Sequence, residues 1–381
     1  MGVNVFFSTA LMSTISATVI AEMLHTSEIN ILYVERTTNI NWLDEDYYRL
    51  NRMIESFFPW KKIFYVDIEQ RKWVSRHNFV KFCKTAYETI NYYKSFKTYI
   101  NDNLSEFAQV DQIYAPMPSQ LWSLVKNKKV ELNIIEHGLQ EYNLLYSIKN
   151  YSNLMIRFKR FLDYLIGYRH ISRTIPSRFV LLDGKRCELL KKRQLDKRVS
   201  LISIDASELI KKIAQHVENK FQSQYPNEYK EIDDIKRSMS LFQNRYVYLP
   251  TGEVPSINYG DYLENQVKDI SMNNTCVLIK NHPADLNDYL ECFEPYNCVV
   301  FSFKHKINRL IPLELLMVML DMPTLWGSYS SALIYSYWWL DATPILSAVD
   351  SHAVNEIMLY EYKGFVTNDF DKFRLNNNGK L

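Results

Sequence analysis

Short apolar runs that close on polar or small residues recur along this chain, separated by stretches of helical length. Residues 3–7 read as a first strand, and a polar loop over 8–16 passes into a helix ending near His25. Residues 30–35 and 62–67 read as buried strands, while 74–103 have the length and periodicity of a helix. Residues 112–119 end a strand in a proline-bounded loop, a helix starts over 120–125, and 131–141 is again a strand closing on charge and glycine. A second series follows, with strands over 199–205, 246–250, 275–279, 298–302 and 344–347 and a helical span between the first two. Strands alternating with helices predict an α/β protein with mostly parallel sheets. No internal repeat is visible, only two similar layouts in tandem, and two Rossmann-like halves facing a central cleft are the simplest architecture for them. Residues 156–198 differ in character, with Arg157, Lys159, Arg160, Arg169, Arg173 and Arg178 preceding a basic run over 185–198. The domain junction is placed here, which gives units of 1–190 and 191–381. The tail, 362–381, is expected to include helical residues and to end frayed.

Composition narrows this picture. A chain of 381 residues with 47% hydrophobic content can build two ordinary domains, and 9 glycines with 12 prolines argue against low-complexity segments. The 27 tyrosines, 20 phenylalanines and 7 tryptophans point first to densely packed cores and only second to carbohydrate platforms. Cys83, Cys187, Cys276, Cys292 and Cys298 are scattered without Cys-x-x-Cys spacing, which fits reduced cytoplasmic thiols rather than disulfides or zinc. The amino end lacks the basic segment of a signal peptide, and no apolar run reaches membrane-spanning length uninterrupted. A soluble or peripheral protein is therefore expected. The net charge of +2 neither demands nor excludes nucleic acid.

Polar clusters stand where apolar runs end: Glu136-His137-Gly138, His282-Pro283, and Ser328, Ser330 and Ser331 with Glu314 before them. Residues at strand ends lie where open α/β sheets bind ligands. A Gly-Ser-x-Ser-Ser stretch opening a helix offers N–H groups and hydroxyls to an anion, so 275–337 reads as a nucleotide-phosphate site. Thr251 and Gly252, after the strand at 246–250, are candidates to border the nucleotide. A carboxylate and an imidazole on opposite cleft walls can divide acid–base work.

The order Glu136-His137-Gly138, Lys280-Asn281-His282-Pro283, Pro312-Leu313-Glu314 and Gly327-Ser328-Tyr329-Ser330-Ser331 resembles the successive motifs of bacterial sialyltransferases, including the capsular polysialyltransferases. The resemblance covers motif positions between 134 and 336. It implies the two-domain GT-B glycosyltransferase fold, with an acceptor-binding amino-terminal half and a CMP-sugar-binding carboxyl-terminal half. By position, Glu136 resembles the general base on the acceptor hydroxyl, and His282, beside Pro283, the group serving the CMP phosphate. Ser330 and Ser331, with Ser328, resemble the phosphate-binding serines, and Glu314 the carboxylate on the ribose hydroxyls. His137, which replaces a usual acidic residue, joins Ser8 and Pro116 as acceptor-binding candidates. The family transfers sialic acid with inversion and without a metal, so no cofactor beyond the CMP-activated donor is implied, and no nucleic acid. The expected partners are a CMP-sugar and a capsule or lipooligosaccharide glycan acceptor. The expected place is the cytoplasm; the basic segment reads first as a solvated helical face near a linker, and second as a contact for an acidic glycan or for anionic lipid headgroups at the inner-membrane face. Two alternatives stand beside this one: a transferase using another nucleotide sugar such as CMP-Kdo, and a catalytically degenerate glycan-binding subunit of a capsule assembly complex.

Overall fold

The computed structural model describes residues 2–37, 44–68, 79–107, 109–116, 119, 121–125, 130–137, 177–182, 199–250, 263–264, 267, 273–282, 289–327, 331–340, 342 and 345–346. In chain order the elements are β1 (Val3–Ser8), α1 (Leu11–Leu24), β2 (Ile29–Thr37), α2 (Glu45–Glu55), β3 (Lys62–Ile68), α3 (Phe79–Leu104), β4 (Val110–Ala115), β5 (Glu131–Ile134), β6 (Arg178–Leu181) and β7 (Ser200–Ser203). There follow α4 (Ser207–Gln224), α5 (Pro226–Met239), β8 (Asn244–Leu249), β9 (Thr275–Ile279), β10 (Val299–Ser302), α6 (Lys306–Leu310), α7 (Leu313–Met319), β11 (Thr324–Gly327), α8 (Ser331–Leu340) and β12 (Ile345–Leu346).

The strands form two wholly parallel sheets, ordered β3-β2-β1-β4-β5-β6-β7 and β10-β9-β8-β11-β12. In each, the first three strands run one way across the sheet and the rest run the other way, the doubly wound order of a Rossmann fold. The α/β class and the two Rossmann-like units expected from the sequence are what the chain forms. Central strands covered on both faces are near-continuous apolar runs, and every residue of β1 and of β9 is buried, the hydrogen-bonded Asn4 included. Edge strands are under no such demand: β3, β7 and β10 carry exposed residues.

The chain separates into residues 1–43 with 58–204, and 44–57 with 205–381. Two features of this division differ from the sequence reading. Residues 200–203, expected to open the second series, instead close the first sheet as β7, paired in register with β6. The apolar stretch Phe179-Val180-Leu181-Leu182 forms β6 inside the basic segment assigned to the junction, and β6 gives β7 a parallel neighbour. The boundary therefore falls after residue 204 rather than after 190. The second feature is α2, which lies in sequence between two strands of the first sheet but packs on α4 and α6 of the second unit. Asp44 caps it by accepting Tyr47 N–H at 3.3 Å, and the same carboxylate pairs with Lys306 at the start of α6. The span between β7 and β8, expected to be helical, is two helices because Pro226 can start a helix but cannot continue one.

The aromatic residues fill the cores, as the composition suggested. Phe6 stacks on Tyr114 at 4.6 Å and Tyr33 on Phe64 at 4.8 Å in the first unit, while Tyr248, Phe293 and the fully buried Trp326 pack together in the second. Burying each such ring contributes about 1.5–3 kcal/mol. Among the described residues, no helix is long and apolar enough to cross a membrane.

Candidate active site

In a parallel sheet all carboxyl ends lie on one edge, and a crevice opens there where the strand order reverses. These points are β1/β4 in the first unit and β8/β11 in the second.

At the first, β1 runs out through Ser8 into α1. Ser8 is buried, its hydroxyl shared with Thr14 Oγ1 at 2.6 Å and Ser13 Oγ at 3.2 Å. Ser13 Oγ in turn accepts the N–H groups of Thr9 and Ala10 at 2.9 and 3.0 Å, which satisfies donors that helix α1 leaves open. Ser8 thus shapes the turn into α1. Pro116, buried at the exit of β4, has its carbonyl taken by Ser119 N–H at 3.1 Å. Glu35, near the end of β2 and also buried, accepts the Ser119 hydroxyl and, at 3.5 Å, the Leu121 N–H. Sequence reasoning did not single out Glu35; its signal is a carboxylate ending an apolar strand run.

Glu136 lies two residues past β5 and is 1% exposed, with Oε2 accepting the Leu182 N–H at 3.0 Å where β6 ends. The carboxylate is thereby fixed at the carboxyl edge between two strands. His137 is half-buried, and desolvation pushes its imidazole down to about 4, so it is neutral at pH 7 and makes only a weak base.

In the second unit, β9 is followed by Lys280, Asn281 and His282. His282 is exposed at the carboxyl edge. Lys280 is buried, its N–H donating to the Tyr248 carbonyl at 2.9 Å and its ammonium to the Arg309 carbonyl. Glu314, in the first turn of α7, is 3% exposed. Burial pushes its carboxyl up to about 7 and the Lys280 ammonium down to about 8, while the attraction between the two opposes both shifts. In the sequence, Lys280 is visible only as the residue that opens the Lys-Asn-His-Pro stretch.

At the β8/β11 reversal stands Gly327, paired in register with Leu249. A Cβ on Gly327 would lie 2.8 Å from the Leu249 carbonyl oxygen, so only glycine lets the strands meet here. Ser331, four residues on, opens α8. The structure therefore brings Lys280, His282, Gly327 and the start of α8 to one edge of the second sheet, and Ser8, Pro116, Glu136 and His137 to one edge of the first. Ser328, Ser330, Thr251, Gly252 and Pro283, with the basic run 185–198, lie outside the described residues, as does the Ser331 side chain. Among the described residues, no group of three or more His, Cys, Asp or Glu side chains is placed to hold a metal ion. Cys276, Cys292 and Cys298 are free thiols.

No family model and no curated protein matches the chain. Solved structures with a similar arrangement include the GT-B domain of a sialyltransferase from Photobacterium damselae, at 14% identity and TM-score 0.48, covering 87% of each chain. A UDP-glucosyltransferase from Polygonum tinctorium aligns at 9% identity and TM-score 0.47, over 99% of this chain and 93% of its own. A UDP-GlcNAc 2-epimerase from Neisseria meningitidis aligns at 12% identity and TM-score 0.43, over 87% and 78%.

Proposed function

We propose that this chain is an inverting, metal-independent glycosyltransferase of the two-domain GT-B type. In this reading it moves sialic acid, or a related nonulosonic acid, from its CMP donor onto a bacterial capsule or lipooligosaccharide glycan. The observation that carries the proposal is positional: Glu136, His282 and Gly327, one from each strand-end motif, all stand at carboxyl edges of doubly wound parallel sheets. There the chemistry asks for little. CMP leaves with negative charge growing on a phosphate oxygen, and a protonated His282 with the N–H groups opening α8 would stabilise that charge where it develops. The sugar passes through an oxocarbenium-like state, so the acceptor hydroxyl needs positioning and mild deprotonation, which Glu136 supplies. Neutral His137 donates or accepts a hydrogen bond beside it. Glu314 serves the nucleoside end, and the basic segment over 157–198 brings the enzyme to anionic acceptors or to the inner-membrane face.

The test is a panel of CMP-sugars against glycan acceptors with product mass analysis, run with and without EDTA. CMP-sialic acid should be consumed with transfer, and EDTA should leave the rate unchanged. Glu136→Gln is the matched control, because its amide oxygen can still accept the Leu182 N–H. Transfer by this variant should fall by about 10²–10⁴ while CMP affinity holds. Consumption of only CMP-Kdo would identify the other donor class, and no CMP release from any donor would identify a glycan-binding subunit. Activity lost to EDTA and restored by Mg²⁺ or Mn²⁺ would count against the family reading.

A further inference from the structure

A lysine ammonium is rarely taken out of water unless its charge is answered, and such pairs are often no more stable than apolar replacements. Lys280 is 6% exposed, and two groups answer it. Its ammonium donates to the carbonyl of Arg309, close to the end of α6, and the charge of Glu314, in the first turn of α7, favours its protonated form. A weaker contact of 3.5 Å reaches the Asn281 carbonyl, and the Lys280 N–H holds the Tyr248 carbonyl of β8 at 2.9 Å. One residue thus ties the exit of β9 both to its neighbouring strand and to the corner between α6 and α7. His282 follows two residues later in the same exit.

We propose that Lys280 is a positioning residue: its buried ammonium, anchored on the Arg309 carbonyl, sets where His282 stands over the carboxyl edge of the second sheet. The inference rests on reading His282 as the group that serves the donor phosphate. A buried ammonium retained where an apolar side chain would pack as well is explained by a geometric task, and the nearest such task is the placement of His282.

The experiment compares Lys280→Met, which keeps an unbranched stem but removes the ammonium, with the double variant Lys280→Met/Glu314→Gln, which leaves no uncompensated carboxylate and so preserves folding if the single variant does not. Two readouts are followed beside the thermal midpoint: the His282 imidazole signals in NMR spectra, assigned with His282→Gln, and CMP affinity by calorimetry. Both variants should shift the His282 signals, leave those of distant histidines in place, and weaken CMP binding by about tenfold or more, the loss of one hydrogen bond to a charged group. A folded variant whose His282 signals match wild type overturns the proposal, whatever its thermal midpoint and whatever its CMP affinity. Wild-type protein that binds no CMP sinks the donor reading instead, and the His282 signals still decide the role of Lys280.

Discussion

Glu314 and Lys280 bring opposite charges into one interior, and burial makes each resist ionising. Folded Glu314 keeps its proton up to about pH 7, whereas an unfolded glutamate releases it near 4.5. The folded chain therefore binds more protons across that interval, so this group makes stability fall as pH rises through it. Lys280 acts in the other direction. Its folded ammonium gives up the proton at about pH 8 and its unfolded one near 10.5, so the folded chain binds fewer protons there and stability rises with pH. Glu314→Gln should remove the first slope and start the second at lower pH, because the carboxylate that supports the ammonium is gone. Denaturant midpoints measured from pH 4.5 to 10 on both proteins test this. Parallel curves below pH 7 would mean that Glu314 ionises in the folded chain like a surface glutamate.

Strand ends decide what this fold can do, and β11 is the most constrained of them. Gly327→Ala would press a methyl group against the Leu249 carbonyl, an atom of backbone that cannot rotate away. One strand must shift, at a cost of about 1–3 kcal/mol. The denaturant midpoint and CMP affinity should both drop; an unchanged midpoint would mean that β8 and β11 have slack at this point. Most of this level was legible in the sequence. The fully buried strands β1 and β9 announce themselves as apolar runs, and Glu136 and His282 as the polar residues that end such runs. Gly327 was visible as the glycine before a serine cluster, though not the contact that requires it. β6 was hidden because its apolar core is only four residues long and sits among arginines and lysines, where charge dominates any window. Lys280 was hidden for a related reason: a lysine at a strand end reads as exposed, and only the surrounding helices α6 and α7 reveal that it is enclosed. A pattern of polar and apolar positions encodes which face is buried but not what buries it.

That limit is plainest at the scale of the whole chain, where α2 belongs to one unit in sequence and to the other in space. Its amphipathic face, with Tyr47, Tyr48, Leu50, Met53 and Ile54 buried, would suit either sheet. What selects the second unit is specific chemistry at both ends of the helix. Asp44 pairs with Lys306 at one end. At the other, Ser56 Oγ and His216 Nε2 of α4 are hydrogen-bonded at 3.0 Å, and the Phe57 ring meets the His216 ring edge-on at 5.6 Å. The chain consequently passes between the units at 43/44, 57/58 and 204/205, so no single cut yields two complete domains. A fragment of residues 205–381 lacks α2 and exposes the apolar surfaces of α4 and α6 that it covers. That fragment should melt at lower temperature and less cooperatively than the same fragment with residues 44–57 joined to it through a flexible linker, and it should bind more of a dye that reports exposed apolar surface. Replacing Asp44 by alanine in the joined form removes the helix cap and its ion pair, and should return about 0.5–2 kcal/mol of the gain. Equal melting of the two fragments would show that the second unit is complete without α2, and that the helix is held there only because the intact chain delivers it.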